Sequence, residues 1–274
     1  MIINKTIWTY WHQGFEHAPE LVKRCVQQWE KLHPDWTIHL LNRDTVDDFI
    51  EPIPVNKQKY ELLSMAHRSD LIRTQLLINY GGVWADPTCF PLRPLDDWLF
   101  NNMQAGLFLF YKPGRDRIIS NWFIASEKGN GLLYKVYEEL CLYWNLNSFI
   151  NMNNKTVWYE PFIKRLYNRR RETTILWLSW FSKKVLKIYP YMIYHYTFYK
   201  LIATNRKSKL IWNKMPRISA DGPHKLQRAG LLAELTPDVK ELIDNREVPL
   251  FKLTWKLNKT EFPKNSVLSY LFLQ

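Results

Sequence analysis

The chain predicts an α/β protein built on a Rossmann-like sheet, and three observations carry that prediction. From Thr6 onward, short runs of strand-forming residues alternate with helical periodicity in the order strand, helix, strand, helix, helix, strand. Gly81 and Gly82 stop the longest helical run and start an apolar strand, Val83 to Ala85, that ends in Asp86 and Pro87. No repeat or low-complexity linker divides the 274 residues, and a 46% hydrophobic and 15% aromatic content excludes a disordered chain.

Thr6 to Trp11 reads as a buried strand, with a loop at Gly14 after it. Pro19 opens a helix in which Leu21, Cys25, Trp29 and Leu32 recur at helical spacing. His33-Pro34-Asp35 makes a turn and Thr37 to Leu41 a second strand. Asn42-Arg43-Asp44 leads into a short helix capped by Asp44; a loop at Pro52-Ile53-Pro54 follows, and one long helix runs from about Lys57 to Tyr80. Right-handed crossovers would lay these strands parallel and bring Tyr10, Trp11, Asn42 and Asp86 to one sheet edge. Gln104 to Lys112 reads as a further strand, Ile118 to Ser126 as another element, and Asn130 as the cap of a helix reaching about Leu146. Beyond Thr156 the pattern is helical, aromatic and basic, with breaks at Pro161 and Pro190; Arg217 to Ala220 and Val248 to Lys256 are the last expected strands. The expected organisation is a core over residues 1–150, a helical insertion over 151–215 and a return to the core over 216–274.

The net charge of +12 is localised. Residues 155–214 hold 14 Lys and Arg against two acids, Glu160 and Glu172, which leaves 24 of each sign elsewhere. On a helical wheel Trp177, Phe181, Val185 and Ile188 share one face, with Trp180, Lys183 and Lys187 along its margin. Rings edged by lysine suit an anionic membrane surface. The alternatives are a stripe packed on the sheet, a groove for an acidic glycan, and single-stranded nucleic acid; no nucleic-acid fold signature accompanies the last. Cys25, Cys89 and Cys141 form neither a metal pattern nor a disulfide framework, and the N-terminus carries no basic-then-apolar leader. These features point to a cytoplasmic protein, either soluble or peripheral at the inner face of the membrane.

Within the long helix one charge is out of place. At about 100° per residue, Asp70 falls between Leu63 and Leu77 in the middle of the apolar stripe, where an ionised carboxylate is expensive unless paired. Arg73 is within reach of the same face. Asp86 ends a strand, and ligands of open α/β sheets bind beyond the carboxyl ends of strands. Two readings follow: a polar-ligand site built from Asp70, Arg73 and Asp86, or a structural Asp70–Arg73 pair beside a turn-forming Asp86-Pro87. Asp96, Asp97 and Asp116 read as solvated surface acids.

Three motifs carry a resemblance: Trp8-Thr-Tyr-Trp-His-Gln-Gly14, Arg68-Ser-Asp-Leu-Ile-Arg73 and Tyr80-Gly-Gly-Val-Trp-Ala-Asp86-Pro-Thr88. Together they resemble the capsular polysaccharide synthesis family of bacterial glycosyltransferases, part of a wider group with a DxD sugar-binding region that includes glucosylating toxins. The likeness covers residues 1–130 and is discontinuous beyond, through Asn121 to Ser126 and Pro249 to Lys256. It implies a GT-A fold, a mixed sheet flanked by helices with a helical basic and aromatic C-terminal region. It also implies a nucleotide-sugar donor, a UDP-sugar favoured, and transfer with retention to a hydroxyl of a glycan or lipid-linked glycan. By the same resemblance Tyr10 and Trp11 face the nucleobase, Asn42 the nucleoside, Asp70 the ribose or sugar, Arg73 a sugar hydroxyl or phosphate, Asn121 the sugar or acceptor, and Asp86 takes the first position of DxD.

Thr88 stands at the third position of that motif, which removes a carboxylate that Mn²⁺ or Mg²⁺ would prefer. Two outcomes stay open: a single-carboxylate site on Asp86 completed by His224, or neutralisation of the diphosphate without metal by Lys225, Lys252 or another cation. A protein-glycosylating toxin-like enzyme and a non-catalytic sugar-nucleotide or glycan-binding protein are the rival functions.

Overall fold

The computed structural model describes residues 3–152, 155–257 and 262–274. Its first half contains β1 (Thr6–Tyr10), α1 (Glu20–Leu32), β2 (Thr37–Leu41), α2 (Lys57–Glu61), α3 (Met65–Tyr80), β3 (Gly82–Ala85), β4 (Cys89–Pro91), β5 (Leu107–Gly114), β6 (Arg117–Ser126) and α4 (Gly131–Leu146). Five strands form one sheet in the order β2-β1-β3-β6-β5. β1 runs parallel to β2 and β3, whereas β6 is antiparallel to β3 and β5, so the sheet is mixed and flanked by helices. The first three strands are parallel and the sheet is mixed, both as expected; β5 and β6 are joined by a tight hairpin, Gly114 pairing with Arg117, rather than by a helical crossover. Asp116 lies in that hairpin and is not a solvated acid: it accepts from Tyr196 Oη at 2.6 Å and pairs with Arg117 at 3.2 Å.

The expected single helix from Lys57 to Tyr80 is two helices. Ser64 interrupts it, its side chain accepting from the His67 amide as the N-cap of α3. α3 packs on β1, β3 and β6 and on α4, and every residue from Asp70 to Leu77 is buried. A helix enclosed on both sides has no solvent face to keep polar, which is why Asp70 and Arg73 lie inside the protein.

The second half holds α5 (Glu160–Tyr167), α6 (Ile193–Thr204), α7 (Arg206–Lys214), α8 (Lys225–Ala229), α9 (Pro237–Asp244), β7 (Leu250–Lys252) and α10 (Val267–Leu271). α6 packs on α4 and β6, and Ile193, Tyr194 and Phe198 share one core with Leu71, Ile72, Leu76 and Trp84. Each large side chain buried there contributes roughly 1.5–3 kcal/mol. The wheel drawn over Trp177 to Ile188 does not hold. Residues Glu172–Leu178 form a 3-10 turn, Phe181–Leu186 a π-turn, and Lys187 is left-handed at φ 50°. Two serines divert the backbone: Ser182 Oγ donates to the Leu176 carbonyl at 2.6 Å, and Ser179 Oγ accepts from the Ser182 amide at 3.2 Å. Trp177 and Ile188 are consequently buried, while Trp180, Phe181 and Val185 face solvent.

Arg217 to Ala220 is not a strand but a single bridge, the Tyr111 amide donating to Ile218 at 2.7 Å and Ala220 to Tyr111 at 2.8 Å. The last strand is shorter than expected, only Leu250–Lys252, and pairs antiparallel with β4 as a separate two-stranded sheet. Among the described residues the three cysteines are buried and free, and no helix is long and apolar enough to cross a membrane.

Candidate active site

A cavity of about 610 Å³ lies at the carboxyl ends of β1 and β3, beside the facing part of β6. The Gly-Gly corner at the far end of β3 sets the strand against β1. Gly82 has φ 91°, and a Cβ there would sit 2.5 Å from the Thr6 carbonyl oxygen, so only glycine lets β3 lie this close to β1. Trp8 Nε1 donates to the Gly81 carbonyl at 2.9 Å and fixes the corner. β3 is buried along its whole length and delivers Asp86, whose amide donates to the Trp122 carbonyl at 2.8 Å. The Cys89 amide donates to Asp86 at 2.8 Å, closing a tight turn with Asp86 and Thr88 on the cavity wall.

Four charged side chains meet on this wall. Arg73 Nε lies 3.7 Å from Asp70 Oδ1, and Arg73 Nη1 lies 3.5 Å from Asp86 Oδ1. The same guanidinium donates to Ser69 O at 3.1 Å, Ser69 Oγ at 3.0 Å and the Asn121 carbonyl, and lies 4.8 Å from the Trp84 ring centre. Asn121 is a residue of β6, and its Nδ2 donates to Asp70 Oδ1 at 2.7 Å. Trp84 Nε1 donates to Asp86 Oδ1 at 2.9 Å. Lys252 Nζ is 3.2 Å from Asp86 Oδ2 and donates also to Thr88 Oγ1.

The two carboxylates are driven apart electrostatically. Burial, reinforced by the Asp86 charge, outweighs Arg73 and Asn121 and pushes Asp70 up to about 7. Burial also raises Asp86, but Lys252, Arg73 and the Trp84 hydrogen bond outweigh it and hold that carboxyl below its ordinary value. Near neutral pH the site therefore combines one firmly ionised acid with one that titrates.

Aromatic residues line one part of the cavity. Trp11 and Trp255 meet edge to face with centroids 5.6 Å apart, and Tyr10 Oη is 2.8 Å from His12 Nδ1. Burial pushes the Tyr10 phenol up to about 12. Tyr191, Met192, His195 and Arg117 line it too. Burial, with Arg117 and Arg73, pushes His195 down to about 3, so it offers a neutral imidazole.

Of the residues expected at the site, the fold brings Tyr10, Trp11, Asp70, Arg73, Asp86, Asn121 and His224 to this cavity. Asn42 and Lys225 do not line it. Asn42 Oδ1 accepts from the Asp44 and Thr45 amides at 2.8 and 3.0 Å, so Asn42, not Asp44, caps the turn and its side chain is committed locally. Lys225 opens α8, while the preceding His224 lines the cavity with Nδ1 2.8 Å from the Ala220 carbonyl oxygen. Sequence reasoning did not assign His195, Arg117, Tyr191 or Trp255; each reaches the cavity through long-range packing that leaves no local pattern.

A divalent ion does not fit this donor set. Asp86 is the one carboxylate at the motif, its two oxygens already face Arg73, Trp84 and Lys252, and Thr88 supplies only a hydroxyl. Among the described residues no three His, Cys, Asp or Glu side chains are gathered as a metal site needs.

The family model for capsular polysaccharide synthesis proteins matches residues 2–153, more than half of the chain, and the chain belongs to that family. It is similar to the O-glycosyltransferase braB of Annulohypoxylon truncatum, 30% identical over 52% of this chain and 38% of that protein. It is also similar to the O-glycosyltransferase PaGT of Phomopsis amygdali, 28% identical over 51% of this chain and 39% of that one. The initiation-specific alpha-1,6-mannosyltransferase of Saccharomyces cerevisiae matches at 26% over 46% of this chain and 30% of its own. The matched segment thus spans less than half the length of each relative. The solved PaToxG glycosyltransferase aligns over 88% of this chain and 84% of its own with a TM-score of 0.42 and 15% identity.

Proposed function

We propose that the chain transfers a sugar from a nucleotide-sugar donor, a UDP-sugar in the first instance, to a hydroxyl of a glycan carried on lipid, with a GT-A site built on the mixed sheet. The observation that carries this is the convergence of Asp70, Arg73, Asp86 and Asn121 beside Trp11 at the strand ends, in a cavity of about 610 Å³. Trp11 offers a ring face to the base. Asp70 and Asp86 accept hydrogen bonds from ribose or sugar hydroxyls, and the Arg73 fork holds the sugar or a phosphate oxygen. In the transfer the acceptor oxygen bonds to the anomeric carbon, and the bond from that carbon to the phosphate oxygen breaks. Its electron pair stays on the leaving nucleoside diphosphate, which takes up the hydroxyl proton. We favour retention, the outcome that the resemblance to the DxD-containing group implies.

The acceptor side of this reading rests on the basic segment. Trp158, Phe162 and Trp180 are 90%, 70% and 69% exposed among the lysines and arginines of residues 155–187. The same stretch continues to Tyr191 and Met192 on the cavity wall. An anionic membrane surface gripping this region would present a lipid-linked glycan at the cavity.

Thermal-shift screening with UDP- and GDP-sugars, followed by turnover on each hit, tests the function. Stabilisation with slow donor hydrolysis, and an anomer retained in the product by NMR, is the expected outcome. Binding without turnover would assign a non-catalytic sugar-nucleotide protein, and labelling of a protein in lysate a toxin-like enzyme.

A further inference from the structure

We propose that Lys252 takes the place of the divalent cation in this site: its ammonium, seated between Asp86 and Thr88, is the counter-charge for the donor's diphosphate. The proposal rests on the nucleotide-sugar reading above. Three features of the fold support it.

The first is placement. β7 pairs with β4 so that Lys252 lies opposite Cys89, the residue after Thr88, and the Leu253 amide donates to the Thr88 carbonyl at 2.8 Å. Lys252 is thereby registered against the acidic turn by backbone hydrogen bonds rather than by a flexible loop. The second is coordination. Nζ is 3.2 Å from Asp86 Oδ2 and bonds Thr88 Oγ1, so it occupies the space between the two side chains that a DxD motif would turn toward an ion. An ammonium has three N–H donors. Asp86 and Thr88 take two, and the third belongs to a side chain that lines the cavity.

The third feature is charge. Threonine accepts a hydrogen bond from the ammonium without cancelling its charge, whereas an aspartate there would neutralise it. Thr88 and Lys252 are thus a matched pair: the hydroxyl that weakens a metal site leaves the lysine free to face an anion. Arg73 lies on the other oxygen of Asp86 at 3.5 Å, so a divalent ion at Asp86 would meet two like-charged neighbours. A diphosphate would meet two complementary ones. A compact ammonium is suited to phosphate as a point charge.

Calorimetric titration of UDP and of GDP into EDTA-treated protein, with and without added Mn²⁺, tests the proposal. At least one of them is expected to bind the wild type in EDTA with Kd within about threefold of its value in Mn²⁺. Lys252→Met is expected to weaken that binding about 10- to 100-fold, the worth of one charge-assisted hydrogen bond, with cooperative unfolding retained. The double variant Thr88→Asp/Lys252→Met rebuilds a two-carboxylate motif and is expected to need Mn²⁺ for binding. If Lys252→Met fails to fold, the wild-type comparison in EDTA decides. Wild-type binding only in Mn²⁺, or undiminished binding by Lys252→Met, overturns the role of Lys252 and leaves the transferase reading standing. No binding of either nucleotide or of any nucleotide sugar, with or without Mn²⁺, overturns both.

Discussion

Removing either member of the Asp70–Arg73 pair is expected to give opposite results. Arg73 is shared: Asp70 lies 3.7 Å from it on one side and Asp86 3.5 Å on the other. Arg73→Met leaves the buried Asp70 and the partly buried Asp86 with Lys252 as the remaining cation and strips donors from Ser69 and Asn121, a loss of the kind that costs about 3–5 kcal/mol. Asp70→Asn, in contrast, leaves Arg73 bound to Asp86, Ser69 and the Asn121 carbonyl, and a neutral amide oxygen still accepts from Asn121 Nδ2.

The magnitude for Asp70 follows from linkage. Its carboxyl titrates at about 7 in the fold against 3.8 in the unfolded chain. Between those values the native state holds a proton that the unfolded state has lost, so this group's contribution falls as pH rises, by up to about 1.4 kcal/mol per unit. Asp70→Asn lacks that slope. Its unfolding free energy minus that of the wild type is expected to grow by about 2 kcal/mol from pH 5 to pH 7 and to level off above pH 8. Urea unfolding followed by tryptophan fluorescence at pH 5, 6, 7 and 8 measures this. A pH-independent difference, or an Asp70→Asn loss as large as that of Arg73→Met, would refute the view that Asp70 is held by its surroundings in a partly protonated state.

Asp86→Asn is expected to lower turnover about 10²–10³-fold while unfolding remains cooperative, because it removes the ionised acid between Arg73 and Lys252; wild-type rates would detach Asp86 from the chemistry. Thr88→Asp alone should raise Mn²⁺ affinity in the presence of UDP or GDP, read by calorimetry, and no gain would place Thr88 away from the diphosphate. Gly82→Ala should cost more than ~1 kcal/mol in urea unfolding, since φ 91° and the Thr6 carbonyl both resist a side chain. Co-sedimentation with anionic liposomes should fall when Lys183 and Lys187 are changed to Glu, by about 1 kcal/mol per lysine lost and a similar repulsion added, and fall again with Trp158→Ala; equal binding to neutral liposomes would reject an electrostatic membrane contact.

Much of the fold is written locally. β1, α1, β2 and α4 follow from periodicity and caps, and Gly81-Gly82 marks a corner that only glycine can turn. What local pattern does not carry is direction and continuity. The five residues between Lys112 and Ile118 are too few for a crossover and fit a hairpin, but which neighbour that hairpin pairs with, and in which direction, is fixed only by the packing of β6 on β3. The apolar spacing of Trp177 to Ile188 imitates a helix, but Ser179 and Ser182 use their hydroxyls on the backbone and break it.

The site divides along the same line. Asp70 is legible because a carboxylate at the centre of an apolar stripe demands a partner, and Arg73 is one turn away; Asp86 is legible because it ends a strand after a glycine corner. Lys252 was one of several cations the sequence offered, and nothing local separates it from Lys225. The difference between them is made by three residue pairs joining β4 to β7 across more than half the chain, which lay Lys252 against Asp86 and Thr88 while Lys225 opens a helix outside the cavity lining. A threonine in an acidic motif therefore has its explanation far away in sequence: its hydroxyl accepts a hydrogen bond from a partly buried ammonium and leaves that charge available to the cavity.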